Sequence, residues 1–193
     1  MLFINGNFNF ISAALFLSWA LLIIKKVINF LTALLLFYNT GRPMYLNIYL
    51  AEDDPDDKEF FKDSLKLVHP RSNLFPFDDG EQLMNHLKKS TGIPPDIIFL
   101  DINMPRKNGK ECLVEIRKDH TFKHIPVIMF TTSVTESDVA FAFQKGANLF
   151  VNKPASFLLQ MEVLRQILSL HINRQLFNTA RQHFVLPSSL KLA

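Results

Sequence analysis

Pro95-Asp96-Ile97-Ile98-Phe99-Leu100-Asp101-Ile102-Asn103-Met104-Pro105 sets an aspartate directly after four large apolar residues. The run Ile97 to Leu100 is too short for a helix and has no polar side, so it reads as a strand covered on both faces, as in a parallel α/β sheet. A buried strand has no packing reason to end in an acid. In open parallel sheets, ligands bind in the crevice beyond the carboxyl ends of the strands. Asp101 is therefore expected at such a crevice.

The same pattern recurs on both sides of this stretch. Leu46 to Ala51 is a short apolar strand running into Glu52-Asp53-Asp54, and Pro55 behind a capping acid suits the first turn of a helix. Phe61, Leu65 and Val68 then repeat at helical spacing. Asn73 to Phe77 reads as a strand that Pro76 confines to a sheet edge. Asp78-Asp79-Gly80 turns into a helix carrying Leu83, Met84 and Leu87 inward. Beyond the loop Ile102 to Asn108, a helix starts at Gly109 with Leu113 and Ile116 inward. Pro126 to Phe130 is an apolar strand closed by Thr131, Thr132 and Ser133, and Thr135 with Asp138 caps a helix to about Lys145. Leu149 to Val151 ends at Lys153-Pro154, and Ser156 caps a final helix to about Arg174.

Five strands alternating with five helices predict a doubly wound parallel sheet, an α/β fold. Four strand ends then deliver Glu52 with Asp53, Asp101, Thr131 and Lys153 to one rim. Three carboxylates in one crevice repel unless a cation sits among them, and all-oxygen ligation suits Mg²⁺. An unprotonated aspartate can attack a phosphoryl group while a metal, a lysine and a hydroxyl neutralise its oxygens. Asp101, Mg²⁺, Lys153 and Thr131 are those parts. Asp54, Asp56 and Asp57 read as a helix cap and solvated loop.

These residues carry a resemblance to the receiver domain of two-component response regulators, over about Leu46 to Leu170. Its signature is LAEDD, IIFLDINMP with NG beyond it, PVIMFTTS and NLFVNKP, with Thr131 30 residues after Asp101 and Lys153 22 further on. The resemblance implies a flavodoxin-like five-stranded sheet in the order 2-1-3-4-5. It implies Asp101 as phosphoacceptor for a sensor histidine kinase or hybrid kinase, with intrinsic autodephosphorylation in place of a separate enzyme activity. Glu52, Asp53, Asp101 and the Asn103 backbone carbonyl would hold Mg²⁺, Thr131 and Phe150 would form the switch, and Lys153 would contact the phosphoryl group. A cis Lys153–Pro154 bond and a homodimer surface on the last two helices are also implied. The TTS stretch and the Ile125-Pro126 lead-in look like the single-domain regulators paired with phytochrome-type or hybrid kinases. Phe150 stands where tyrosine is common, so the switch would work by packing alone, and Thr132 where alanine is frequent, which would crowd the site.

Two other readings compete. A degenerate receiver would act as a binding module without phosphorylation, which intact Asp101, Thr131 and Lys153 argue against. A phosphohydrolase of the haloacid dehalogenase kind needs a second acid two residues after the first, where Asn103 stands.

The remaining composition narrows the classes. Before Met44 there is no acid and only Lys25, Lys26 and Arg42 are charged, so 18 bases face 18 acids in the rest of the chain. That balance argues against a broad nucleic-acid face. The lone Cys112 cannot form an internal disulfide, which fits a cytoplasmic protein. Residues 1–43 form an apolar leader whose segments Phe10 to Ile24 and Val27 to Tyr38 have 15 and 12 residues, short of the roughly 17 to 25 a span needs. The expectation is that the functional protein begins at Met44, the alternative being a membrane anchor that leaves the remainder in the cytoplasm. Residues 44–174 are then the receiver, and 175–193 a short tail.

Overall fold

A computed structural model of the protein describes residues 45–89, 92–172, 174–178 and 184–186. In chain order the elements are β1 (Leu46–Ala51), α1 (Pro55–Val68), β2 (Ser72–Phe77), α2 (Gly80–Lys88), β3 (Ile97–Leu100) and α3 (Gly109–Lys118). They continue with β4 (Val127–Thr131), α4 (Glu136–Gln144), β5 (Leu149–Asn152), α5 (Phe157–Ile172), a 3₁₀ turn (Gln175–Asn178) and β6 (Val185–Leu186). All belong to the unit Met44–Ala193.

Helix starts are written locally. The Asp54 side chain caps α1 by accepting from the Asp56 and Asp57 amides, with Pro55 in the first turn. Asp79 caps α2 through the Gln82 amide, and Thr135 caps α4 through that of Asp138. Asn108 and Glu111 make a reciprocal capping box at α3, a spacing legible in the sequence but not read from it above.

The strands form one parallel sheet in the order β2-β1-β3-β4-β5-β6, with β2 and its Pro76 at the edge as expected. Alternate residues of each inner strand serve opposite faces. Leu46, Ile48 and Leu50 of β1 join Phe99, Phe130 and Val151 under α1 and α5. Phe61 of α1 centres that layer, edge-on to Phe99 at 4.9 Å and Phe130 at 5.6 Å between ring centroids. Tyr49, Ile98, Leu100, Met129 and Phe150 form the other layer with residues of α2, α3 and α4. The four residues of β3 are all buried, as their unbroken apolar run requires.

The sixth strand is a departure from the expected five. Residues read as a tail return to the sheet, where β6 pairs parallel to β5, Phe150 opposite Val185 and Val151 opposite Leu186. Leu176 is buried in the α1/α5 layer, while Phe184 is buried in the other layer. This segment moves the sheet edge from β5 to the two-residue β6, and a short edge strand limits edge-to-edge pairing. The Val-Leu pair of β6 is too short to give a periodic strand signal.

Among the described residues no helix is long and apolar enough to cross a membrane. The leader, residues 1–43, lies outside the described residues.

Candidate functional site

Register brings the strand ends together. Ala51 of β1 pairs with Leu100 of β3, so the next residues, Glu52 and Asp101, emerge side by side, and Asp101 N–H donates to the Ala51 carbonyl at 3.0 Å. On the other flank Thr131 pairs with Asn152, and the Lys153 amide donates to the Thr131 carbonyl at 2.9 Å. Glu52, Asp101 and Thr131 are buried, while Asp53, Asn103 and Thr132 are exposed.

Glu52, Asp53 and Asp101 each offer a carboxylate oxygen, all within 4.8 Å of one another. Lys153 Nζ lies 2.5 Å from Glu52 Oε2 and 3.5 Å from Asp101 Oδ2. It also lies 2.7 Å from Asp57 Oδ2, which corrects the reading of Asp57 as part of a solvated loop. Asp57 is the third residue of α1, and the helix start turns its side chain over the crevice. Nothing local in the sequence signals this contact between residues 96 apart.

Burial pushes the Glu52 carboxyl up to about 7, against the pull of Lys153, with Asp101 adding to the rise. Burial also works to lower Lys153, but its hydrogen bonds to Asp57 and Glu52 and the charge of Asp101 outweigh that and hold it above the ordinary lysine value. Four acids thus face one ammonium. Clustered hard oxygen donors with excess negative charge fit a divalent cation of the Mg²⁺ or Mn²⁺ kind.

The peptide bond before Pro154 is trans, as are all those of the described residues, so the expected cis bond is absent. With this trans bond the Lys153 amide is bonded to the Thr131 carbonyl and its side chain reaches the crevice.

The rim is held from behind. Arg106, in the left-handed region at φ 59°, ion-pairs with the buried Asp79 and ties the loop after Asp101 to the start of α2. Thr131 Oγ1 accepts from the Ser133 amide at 3.2 Å, and Ser133 Oγ donates to Asp138 Oδ2 at 3.0 Å. Asp138 also pairs with Lys110 of α3. Phe150 is fully buried, with Phe184 of the returning segment 6.4 Å away between ring centroids. Sequence reasoning missed Asp57, Arg106 and Phe184, all of which act across elements.

A parallel sheet of this order with acids, threonine and lysine at its carboxyl rim defines a phosphorelay receiver. The response regulator receiver domain family matches residues 48–168, and the chain belongs to that family. It is similar to the response regulator Rcp1 of Synechocystis sp., 33% identical over 110 residues that cover 55% of this chain and 75% of Rcp1. It is 29% identical over 109 residues to hybrid signal transduction histidine kinase D of Dictyostelium discoideum, covering 56% of this chain but 7% of that protein. Among solved structures, the phosphorylated cyanobacterial phytochrome response regulator RcpA superposes with a TM-score of 0.63 at 27% identity, over 68% of this chain and 96% of RcpA. The Mn²⁺-bound form of Rcp1 gives 0.61 at 29% identity, over 66% and 94%.

Proposed function

We propose that Asp101 is the phosphoacceptor and that its donor is a phosphohistidine of a sensor histidine kinase or hybrid kinase in the cytoplasm. The observation that carries this is the convergence of Asp101, Glu52, Asp53 and Lys153 on one crevice. An Asp101 carboxylate oxygen attacks phosphorus, the P–N bond breaks, and the imidazole leaves with the bond's electrons. Lys153 Nζ moves from the carboxylates to a phosphoryl oxygen, and the Thr131 hydroxyl donates to another. Glu52, Asp53, Asp101 and the Asn103 carbonyl would hold Mg²⁺. When bound, the cation offsets negative charge that Lys153 alone cannot.

Drawing Thr131 inward breaks its bond with Ser133 and opens space for Phe150, whose ring carries no hydroxyl and moves by packing alone. The face built from α4, β5 and α5 then changes between two states that a partner reads. A homodimer through α4 and α5 would have to accommodate β6, which borders β5. Asn103, exposed two residues beyond Asp101, orients water for hydrolysis of the acyl phosphate, so the mark is transient.

Intact-protein mass spectrometry after acetyl phosphate treatment tests this reading. One phosphoryl adduct is expected with Mg²⁺, and none in Asp101→Asn or in EDTA. An adduct that persists in either condition overturns it.

A further inference from the structure

The two buried carboxylates that touch Lys153 form the floor of the crevice, but the third reaches it from outside the sheet. Asp57 comes from the first turn of α1, its own amide held by the Asp54 side chain at 3.2 Å. Its side chain is 43% exposed, against 2% for Glu52 and 8% for Asp101. The bond from Lys153 Nζ to Asp57 Oδ2 is 2.7 Å, a full charge-assisted hydrogen bond, whereas the 3.5 Å to Asp101 Oδ2 is at the limit of one. The ammonium is thus bonded away from the acid beside which it sits.

We propose that Asp57 is a positioning residue that holds the Lys153 ammonium at the rim, off the Asp101 carboxylate, and releases it when a phosphoryl group arrives. The proposal rests on the phosphoacceptor reading of Asp101. Without Asp57, Lys153 keeps its 2.5 Å pairing with Glu52 but loses the outward pull, so it settles deeper between Glu52 and Asp101. There it competes with a cation for the oxygens of Glu52, Asp53 and Asp101 and masks the nucleophile. Loss of the Asp57 charge also makes the crevice less attractive to a cation, so both effects weaken metal binding. The exposure of Asp57 suits it to the task. A half-solvated carboxylate gives up its partner at little cost, while a buried one would be left as an uncompensated charge.

The test is a Mg²⁺ titration followed by amide chemical shifts in two-dimensional NMR, with no phosphodonor present. It compares the full chain with Asp57→Asn, Asp57→Glu and Asp56→Asn. Asp56 occupies the same first turn, while the ion pairs of Lys153 among the described residues are to Glu52, Asp57 and Asp101, so the Asp56 variant carries the same loss of helix-end charge. Asp57→Asn is expected to weaken Mg²⁺ binding about tenfold. Asp57→Glu, which keeps the charge, should recover most of that loss, and Asp56→Asn should bind like the unaltered chain. Unaltered affinity in Asp57→Asn, or an equal loss in Asp56→Asn, overturns the assignment while leaving the phosphoacceptor reading intact. If the unaltered chain bound no Mg²⁺, the metal reading would fail, and this assignment with it.

Discussion

Gly109 shows how closely Asp101 is built into the backbone. It is the first residue of α3, and a Cβ there would lie 2.0 Å from the Asp101 carbonyl oxygen and 2.9 Å from its carbonyl carbon. The helix can start beneath the strand end only because no side chain intervenes. Gly109→Ala is expected to cost about 1–3 kcal/mol in urea unfolding, as overpacking does. It should also slow phosphorylation by acetyl phosphate by up to about 100-fold, because a small displacement of a reacting group is enough. A variant that folds and accepts phosphate at the original rate would show that the strand end tolerates the shift. Cys112, by contrast, is a buried free thiol. Burial pushes its thiol up to about 12, so it is a small apolar filler of the α3 face.

Among the elements, the returning segment is the least expected and the most open to test. The Phe150 amide donates to the Phe184 carbonyl at 2.8 Å, and the Phe184 ring lies 5.1 Å from that of Phe143 on α4. Asn148 ties the 3₁₀ turn down by donating to the Leu176 carbonyl at 2.8 Å, while its own oxygen accepts from Arg117 and from Val127 N–H. The segment therefore belongs to the folded unit. Phe184→Ala removes a buried ring and is expected to destabilise the protein by about 3–5 kcal/mol in denaturant unfolding. A change near zero would mean that the segment contributes no packing energy over Phe150.

At the scale of the whole molecule, β1 begins at Leu46, so a chain starting at Met44 keeps every element described. Deleting residues 1–43 should leave a monodisperse protein that binds Mg²⁺ and accepts phosphate on Asp101. Size-exclusion chromatography with mass spectrometry checks this, and an insoluble or inert truncation would support the anchor instead. Much of this unit was legible in the sequence because its signals are local. Four-residue apolar runs define buried strands, Asp54, Asp79 and Thr135 cap helices within a turn, and Pro76 confines β2 to an edge. Alternation of strand and helix implies a parallel sheet, which sends every strand's carboxyl end to one rim and so gathers Glu52, Asp101, Thr131 and Lys153. Tertiary structure decided what depends on distance across the fold. The grip of Asp57 on Lys153, the Arg106–Asp79 clamp, the Gly109 contact with Asp101 and the return of Phe184 over Phe150 join residues whose neighbours in the chain carry no trace of them. Periodicity and capping record what a segment is. Only the packing of α1 over the rim and of the C-terminal segment beside β5 records what each side chain meets.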